Sequence, residues 1–418
     1  MAYILFALYT VIIGYFLPKI AFIKKSGLHP ITIRVLYAIK VLVCVGWGYI
    51  NIHHLDGISD PVALNDLAKM EHQFLTTDPK GFVVDLFSSP YHHYGNFFGS
   101  VNSYWNDLDV NILAKTIALF NFITLGNFYV NALLGVLFSF FGNIALFRMY
   151  TSNYATISFP LLFGSFLIPT MLVFTASNSK DNVCFTLLAL CSFGFYQCLK
   201  YGFTVKKIIL IFLMFAGLLL LRNHLALLLV PAFVVWYMID KKNTPAFKTT
   251  VVVYGLMALL LLLLSILKPT LNPAQVIANK QQAFLALPEA KSQLPMDTLQ
   301  GSFSEIIQFA PKAINHGFFR PYIWEVKNVF NTLLLIEILA TLFLIAVVVY
   351  ARRGHPQRPS ALVLFGITVA VTMVILTGYT TPNYNTIARY KSILLPFLLI
   401  PFLFHFQHWP KWILRIKF

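Results

Sequence analysis

Arg222, Arg320, Arg389, Lys180 and Lys391 stand near the ends of apolar runs, and Asp56, Asp60 and Asp181 occupy the polar stretches between such runs. Arginine forks match phosphate oxygens bidentately, and lysine adds a point charge. A carboxylate beside them can take a proton from a hydroxyl, while cations stabilise the charge that develops on a departing phosphate. These abilities together suit transfer of a sugar from a polyprenyl-phosphate carrier to an acceptor hydroxyl.

Each polar cluster also has an ordinary reading. In HHLDGISD (His53–Asp60), Asp56 and Asp60 are catalytic candidates or plain turn and cap residues. In SNSKDN (Ser177–Asn182), between two apolar segments, Lys180 faces an anionic headgroup or merely stands beside Asp181 at a positive helix N-terminus. Arg222-Asn223-His224 separates two apolar legs of about fifteen residues whose far ends carry Lys206, Lys207 and Lys241, Lys242. Legs that short set the turn beneath the headgroups, where ionisable side chains are costly and functional by default. Arg320 and Glu325, in NHGFFRPYIWE, are ligand contacts or an ion pair anchoring a helix end. Arg389, Tyr390 and Lys391, in TPNYNTIARYK, are phosphate contacts or interfacial anchors. His53, His54, His92 and His93 form adjacent pairs without chelating spacing, so no metal site is assigned. The chemistry requires no cofactor, and a divalent metal recruited by the acidic loop has no motif behind it.

The elements that must position these residues are membrane helices. The chain is 58% hydrophobic and 11% charged over 418 residues, against about 25% charged in a soluble domain. That excludes a water-soluble globule and predicts an all-α polytopic membrane protein, one bundle over residues 1–418. A span needs roughly 20 mostly apolar residues, which predicts about eleven: 3–18, 33–51, 122–147, 157–176, 183–200, 207–221, 225–239, 249–267, 329–350, 360–378 and 392–406. The apolar run Tyr3–Leu17 precedes Lys19, Lys24 and Lys25, the reverse of a secretory signal, and predicts a retained first helix with its N-terminus outside. Cys184, Cys191 and Cys198 recur every seven residues on one helix face and, like Cys44, read as small packing residues.

Lys and Arg accumulate on the cytoplasmic side. With the N-terminus outside, the inner segments hold 17 cations and one acid, Asp240, whereas the outer segments hold 13 of each. The net charge of +16 is then a cytoplasmic excess facing anionic lipid headgroups, and no nucleic-acid partner is needed. The C-terminus falls inside. Two longer extracytoplasmic loops result, an acidic one at 52–115 and a second at 268–328, and loops of that length are usually functional. Every polar cluster named above lies on the outer face.

The motifs HLDGISD, IPTMLVFTASNSKD, LLLRNHLAL, FFRPYIWE and NYNTIARYKSILLPFLL, spread over residues 50–400, resemble those of bacterial polysaccharide-cluster membrane proteins of the GT-C-like glycosyltransferase and O-antigen-polymerase type. The resemblance implies an acidic catalytic residue in the first outer loop, at Asp56 or Asp60, and cationic phosphate contacts at Arg222, Arg320 and Arg389. It implies a polyprenyl-phosphate-linked sugar as donor, a glycan or lipid-linked acceptor, and residence in the bacterial inner (plasma) membrane. Polymerases and ligases of such pathways rely instead on outer-face arginines and a histidine, for which Arg222, His224, Arg320 and Arg389 stand ready. A third reading is a lipid-linked oligosaccharide flippase or other transporter. That class places charges within its spans and symmetry between its halves, and here, away from the span ends, only Lys40 and Glu337 are charged.

Overall fold

A computed structural model describes residues 2–54, 59–88, 103–267, 272–288, 292–351 and 360–405. Asp56, His92 and His93 lie outside the described residues. The helices are α1 (Ala2–Phe16), α2 (Ala21–Lys24), α3 (Pro30–His53), α4 (Asp60–Thr77), α5 (Pro79–Val84), α6 (Tyr104–Thr124) and α7 (Phe128–Tyr154). There follow α8 (Phe159–Phe166), α9 (Pro169–Phe174), α10 (Lys180–Tyr201), α11 (Val205–Leu221), α12 (Asn223–Lys242) and α13 (Ala246–Leu267). The last are α14 (Pro273–Leu285), α15 (Phe303–Phe318), α16 (Val329–Ala351), α17 (Ala361–Thr380), α18 (Tyr384–Ser392) and α19 (Leu395–Leu403). Among the described residues the only strand-like pairing is an isolated bridge between Gln293 and Asn383.

The chain is all-α, and seven helices are long and apolar enough to cross a membrane: α3, α7, α10, α12, α13, α16 and α17. An eighth passes if α18 and α19, bent by 64° at their break, count as one span. The other predicted segments are helical but shorter or interrupted. α1 has 15 residues and α11 has 17, and the segment at 157–176 is split into α8 and α9, each opened by a proline in its first turn. The predicted span at 122–147 is displaced to α7. Leu125 takes a left-handed conformation after α6, and the Asn127 side chain accepts from Tyr129 N and Val130 N to start the next helix.

α7 and α10 form the centre of the core, with Phe140, Phe147, Tyr150, Phe185 and Leu188 fully enclosed. α13 packs little of itself, and Thr249 is its one buried residue. Among the described residues the two long segments carry helices of their own, α4–α6 in the first and α14–α15 in the second. In the first, Asn131 Nδ2 on α7 donates to Asn65 of α4 (3.0 Å) and Asn121 of α6 (2.8 Å), which fixes that hairpin to the bundle. In the second, α15 starts with a capping box between Ser302 and Glu305 and lies directly on α17. There an added Cβ on Gly378 would come within 2.0 Å of the Ala313 carbonyl, so the two backbones meet where no larger side chain fits.

Candidate functional site

The stretch SNSKDN is not a solvent loop. Ser177, Ser179, Asp181 and Asn182 are all buried. The Asn182 amide donates to the carbonyls of Gly135 (2.9 Å), Thr175 (2.9 Å) and Ser177 (2.7 Å), and Ser139 of α7 donates to Thr175 O (2.8 Å). Gly135 permits this approach, since a Cβ there would stand 2.4 Å from Asn178 Oδ1. The helix cap is Ser179, whose Oγ accepts from Asn182 N. Asp181 is thereby free of capping and sits in the first turn of α10.

Two arginines from distant elements converge on Asp181. Arg222 stands at the break between α11 and α12, extended at φ −147°, ψ 77°, and is 4% exposed. Its Nη2 binds Asp181 Oδ1, and Arg389 Nε on α18 reaches Asp181 Oδ2 at 3.2 Å. Arg389 Nη1 also binds Asp60, the first residue of α4, whose side chain is 69% exposed. Tyr390 lies against both guanidinium groups, 4.2 Å from Arg222 and 5.6 Å from Arg389 to the ring centroid. Buried charges need partners, and here one carboxylate serves two cations. Arg222 Nη1 is left buried without a hydrogen-bond partner.

Beside this group Lys180 binds Asp109 of α6. The Asp109 side chain is 8% exposed, and its Oδ1 has no hydrogen-bond partner. Burial pushes the Asp109 carboxyl above the usual carboxylate range, opposed by the Lys180 ammonium and, more weakly, by Lys280 and Arg222. His224, in the first turn of α12, is within electrostatic reach of Arg222, Lys280 and Lys180. Five predicted site residues (Lys180, Asp181, Arg222, Arg389 and Tyr390) are thus brought together, with Asp60 at the edge and His224 alongside. Asp109 and Lys280 are additions that sequence reading missed. No protein-family model, curated protein or solved structure matches this chain.

The remaining predicted residues lie elsewhere. Arg320 pairs with Glu325 at 3.3 Å in the connection between α15 and α16, where Glu325 also accepts from Tyr322 N (2.8 Å). That is the helix-end anchor its sequence allowed. Lys391 points away from the cluster and donates to the Gly317 carbonyl at 3.0 Å.

α18 is set in place by the second long segment. Leu294 N donates to Pro382 O (2.7 Å), Tyr384 N to Ser292 O (3.2 Å) and Ser292 Oγ to Asn383 Oδ1 (2.7 Å). On its other side Arg389 lines an open cavity of about 720 Å³ between α3, α9, α16 and α18. The wall is mainly apolar, formed by Trp47, Ile50, Phe174, Val329 and Phe330, with His54, Asn328, Asn385 and Thr386 as its polar members. Trp47 stacks on Phe330 with centroids 5.7 Å apart. Among the described residues no three His, Cys, Asp or Glu side chains gather as metal ligands.

Proposed function

We propose that this chain is a membrane glycosyltransferase of GT-C type that takes a sugar from a polyprenyl-phosphate-linked donor and passes it to a glycan or lipid-linked acceptor hydroxyl. The observation that carries this reading is the pairing of Arg222 and Arg389 across one carboxylate, beside an apolar cavity that Arg389 itself lines. A lipid-linked phosphate needs cations for its head and apolar walls for its tail. Arg222 Nη1 and Arg389 Nε are buried donors without a hydrogen-bond partner in the protein, and they are the groups assigned to the phosphate oxygens. Arg222 and Arg389 bind the leaving phosphate, Tyr390 keeps both guanidinium planes in register, and Lys180 adds charge at the rim. His224 lies next to the departing group. No metal is required, because the cations of the chain supply the electrostatic stabilisation.

In this reading the chain threads a bacterial plasma membrane eleven times, with the shorter and interrupted helices α1, α8–α9, α11 and α18–α19 completing the seven long ones. The N-terminus is extracytoplasmic and the C-terminus cytoplasmic, in contact with anionic lipid, and the cluster faces outward. Asp60 holds Arg389 at the mouth, a role in which it need not touch the acceptor. That observation favours a second reading, a repeat-unit polymerase or ligase acting on the same kind of lipid-linked phosphate.

The test is deletion of the gene in the source cells and rescue with wild type, Arg222→Ala, Arg389→Ala and Asp60→Asn, with membrane levels measured and the glycan profiled. Loss of one sugar from otherwise polymerised glycan in the arginine variants supports single-sugar transfer. Glycan halted at one repeat unit selects the polymerase. Full rescue by both arginine variants removes the catalytic reading, and a transporter or scaffold then takes its place.

A further inference from the structure

The cavity beside Arg389 has two walls of different character. Trp47, Ile50 and His54 border it at i, i+3 and i+7 of α3, one stripe of that helix. Trp47 is fixed there by stacking on Phe330 of α16, with 26° between the rings, and by meeting Phe174 of α9 edge-on at 5.9 Å between centroids. Opposite in kind is α18, whose Asn385, Thr386 and Arg389 border the same space at i, i+1 and i+4. Among the described residues neither the Asn385 amide nor the Thr386 hydroxyl has a hydrogen-bond partner. Asn328, also at the wall, is occupied in capping α16 through Asn331 N (2.9 Å).

A hydrocarbon tail laid along α18 would strip water from these groups and return nothing, at about 5- to 150-fold in binding for each. A sugar ring has the two matching sides: hydroxyls at its rim for the amide and hydroxyl of α18, and C–H faces for the aromatic wall. Its place is also set. The ring is joined to the phosphate through one oxygen, and Arg389 is the assigned phosphate ligand that borders the cavity. Asn385 and Thr386 precede it by about one helical turn, roughly 5 Å along the axis.

We infer that the α18 side of this cavity is the sugar subsite of the donor, where Asn385 and Thr386 read the hydroxyls of a neutral pyranose packed against Trp47. The inference rests on the glycosyl-transfer reading, and it leaves the tail to the side of α3 and α16, along the exposed Ile50 and Val329. Neutrality follows from the charge around the space. Arg389 is the one Lys, Arg, Asp or Glu among the described lining residues, and its guanidinium is already paired with Asp60 and Asp181. A free ammonium or carboxylate on the sugar would leave water without a counter-charge. Hydrogen-bonding groups aimed at particular hydroxyls also discriminate strongly against sugars that lack them.

The test uses the full chain in lipid nanodiscs and the double variant Asn385→Leu/Thr386→Val, which makes the α18 wall apolar at nearly unchanged volume. The cap of α18 is Asn383 and is left intact. Binding is measured with undecaprenyl phosphate, and with undecaprenyl phosphate carrying glucose, galactose, mannose, N-acetylglucosamine, glucosamine or glucuronic acid. The wild type is expected to bind at least one neutral conjugate about tenfold or more tighter than undecaprenyl phosphate, and neither charged conjugate so. In the double variant that advantage falls to within about threefold, while undecaprenyl phosphate binds as in the wild type or tighter. Should the double variant fail to fold, Thr386→Val alone is read by the same criteria. A retained advantage in the variant, or no advantage in the wild type, overturns the subsite. So does loss of undecaprenyl phosphate binding in the variant, which would assign the α18 wall to the lipid phosphate itself. Tightest binding of a charged conjugate overturns the neutral class. All of these leave the glycosyl-transfer reading standing, whereas a wild-type chain that fails to bind undecaprenyl phosphate overturns both.

Discussion

Arg222→Ala removes one of the two guanidinium groups on a carboxylate that is 5% exposed. Asp181 then stays out of water with only Arg389 Nε, at 3.2 Å, opposite its charge. Two unit charges about 3 Å apart at an effective dielectric of about 20 attract by roughly 5 kcal/mol. Breaking a buried pair from one side costs about 3–5 kcal/mol, since the remaining charge is uncompensated. The surviving Arg389 arm keeps the loss near the lower end, about 3 kcal/mol. In a thermal melt of the detergent-solubilised chain, that loss lowers the Tm by about 3 °C. Asp181→Asn alone is damaging too, because Arg222 is 4% exposed and loses its one carboxylate. In Arg222→Met/Asp181→Asn neither charge remains, and Arg389 keeps Asp60. The double variant is therefore expected to recover most of the lost stability, with a coupling of about 2 kcal/mol or more. Losses that add in the double variant to within about 0.5 kcal/mol refute the buried pair.

Four further outcomes follow from the same geometry. Burial holds the His316 imidazole below its ordinary value, with Arg320 and Lys312 acting in the same direction and Glu325 and the Gly378 carbonyl against them. The unfolded chain therefore binds a proton on acidification before the folded one does, so stability falls as pH drops below about 6.5; His316→Gln should flatten a Tm-against-pH curve there. Gly378→Leu drives a side chain into the Ala313 carbonyl and should cost about 3 kcal/mol, seen as a lower Tm and faster proteolysis of the α14–α15 segment. Lys40 is buried with Asn143 as its hydrogen-bond partner (2.7 Å), so Lys40→Met should hold or raise the Tm; Asn143→Ala should cost about 2 kcal/mol of stability and lower the Tm, since that amide also bonds the Ser165 carbonyl (2.6 Å). Tyr390→Phe keeps the ring over both arginines and should preserve undecaprenyl phosphate binding, whereas Tyr390→Ala removes about 1–2 kcal/mol of cation–π support and should weaken binding about tenfold.

The helical class and most of the spans were legible because apolar runs of spanning length carry their own signal. The breaks were less so. Pro169 inside an apolar run and the left-handed turn after α6 shift helix ends without changing average hydropathy. Lys180, Asp181, Arg222 and Arg389 could be singled out as ionisable groups at the ends of apolar runs, but their partners could not, since pairing is set by which helices meet. Asp109 was hidden among eight acids of one segment. A signal was present nonetheless: in a helix it shares a face with Trp105, Ile112 and Leu113, an acid on an apolar stripe. Lys280 gave no such sign. Arg320 and Glu325 resembled the site residues in type, and five-residue spacing sufficed for them to pair with each other.

Lys180 and Asp181 are neighbours on one helix, so their side chains leave it about 100° apart, one toward α6 and the other toward Arg222 and Arg389. The turn before them is held by Asn182, Ser139 and the bare backbone of Gly135. Point substitutions in that turn alter single contacts and have graded effects. A one-residue insertion or deletion is different in kind: it turns α10 by that same angle and swings both charges away from their partners at once. Over evolutionary time this stretch should therefore drift in composition while keeping a fixed length, and an alignment of relatives should show substitutions here but no gaps.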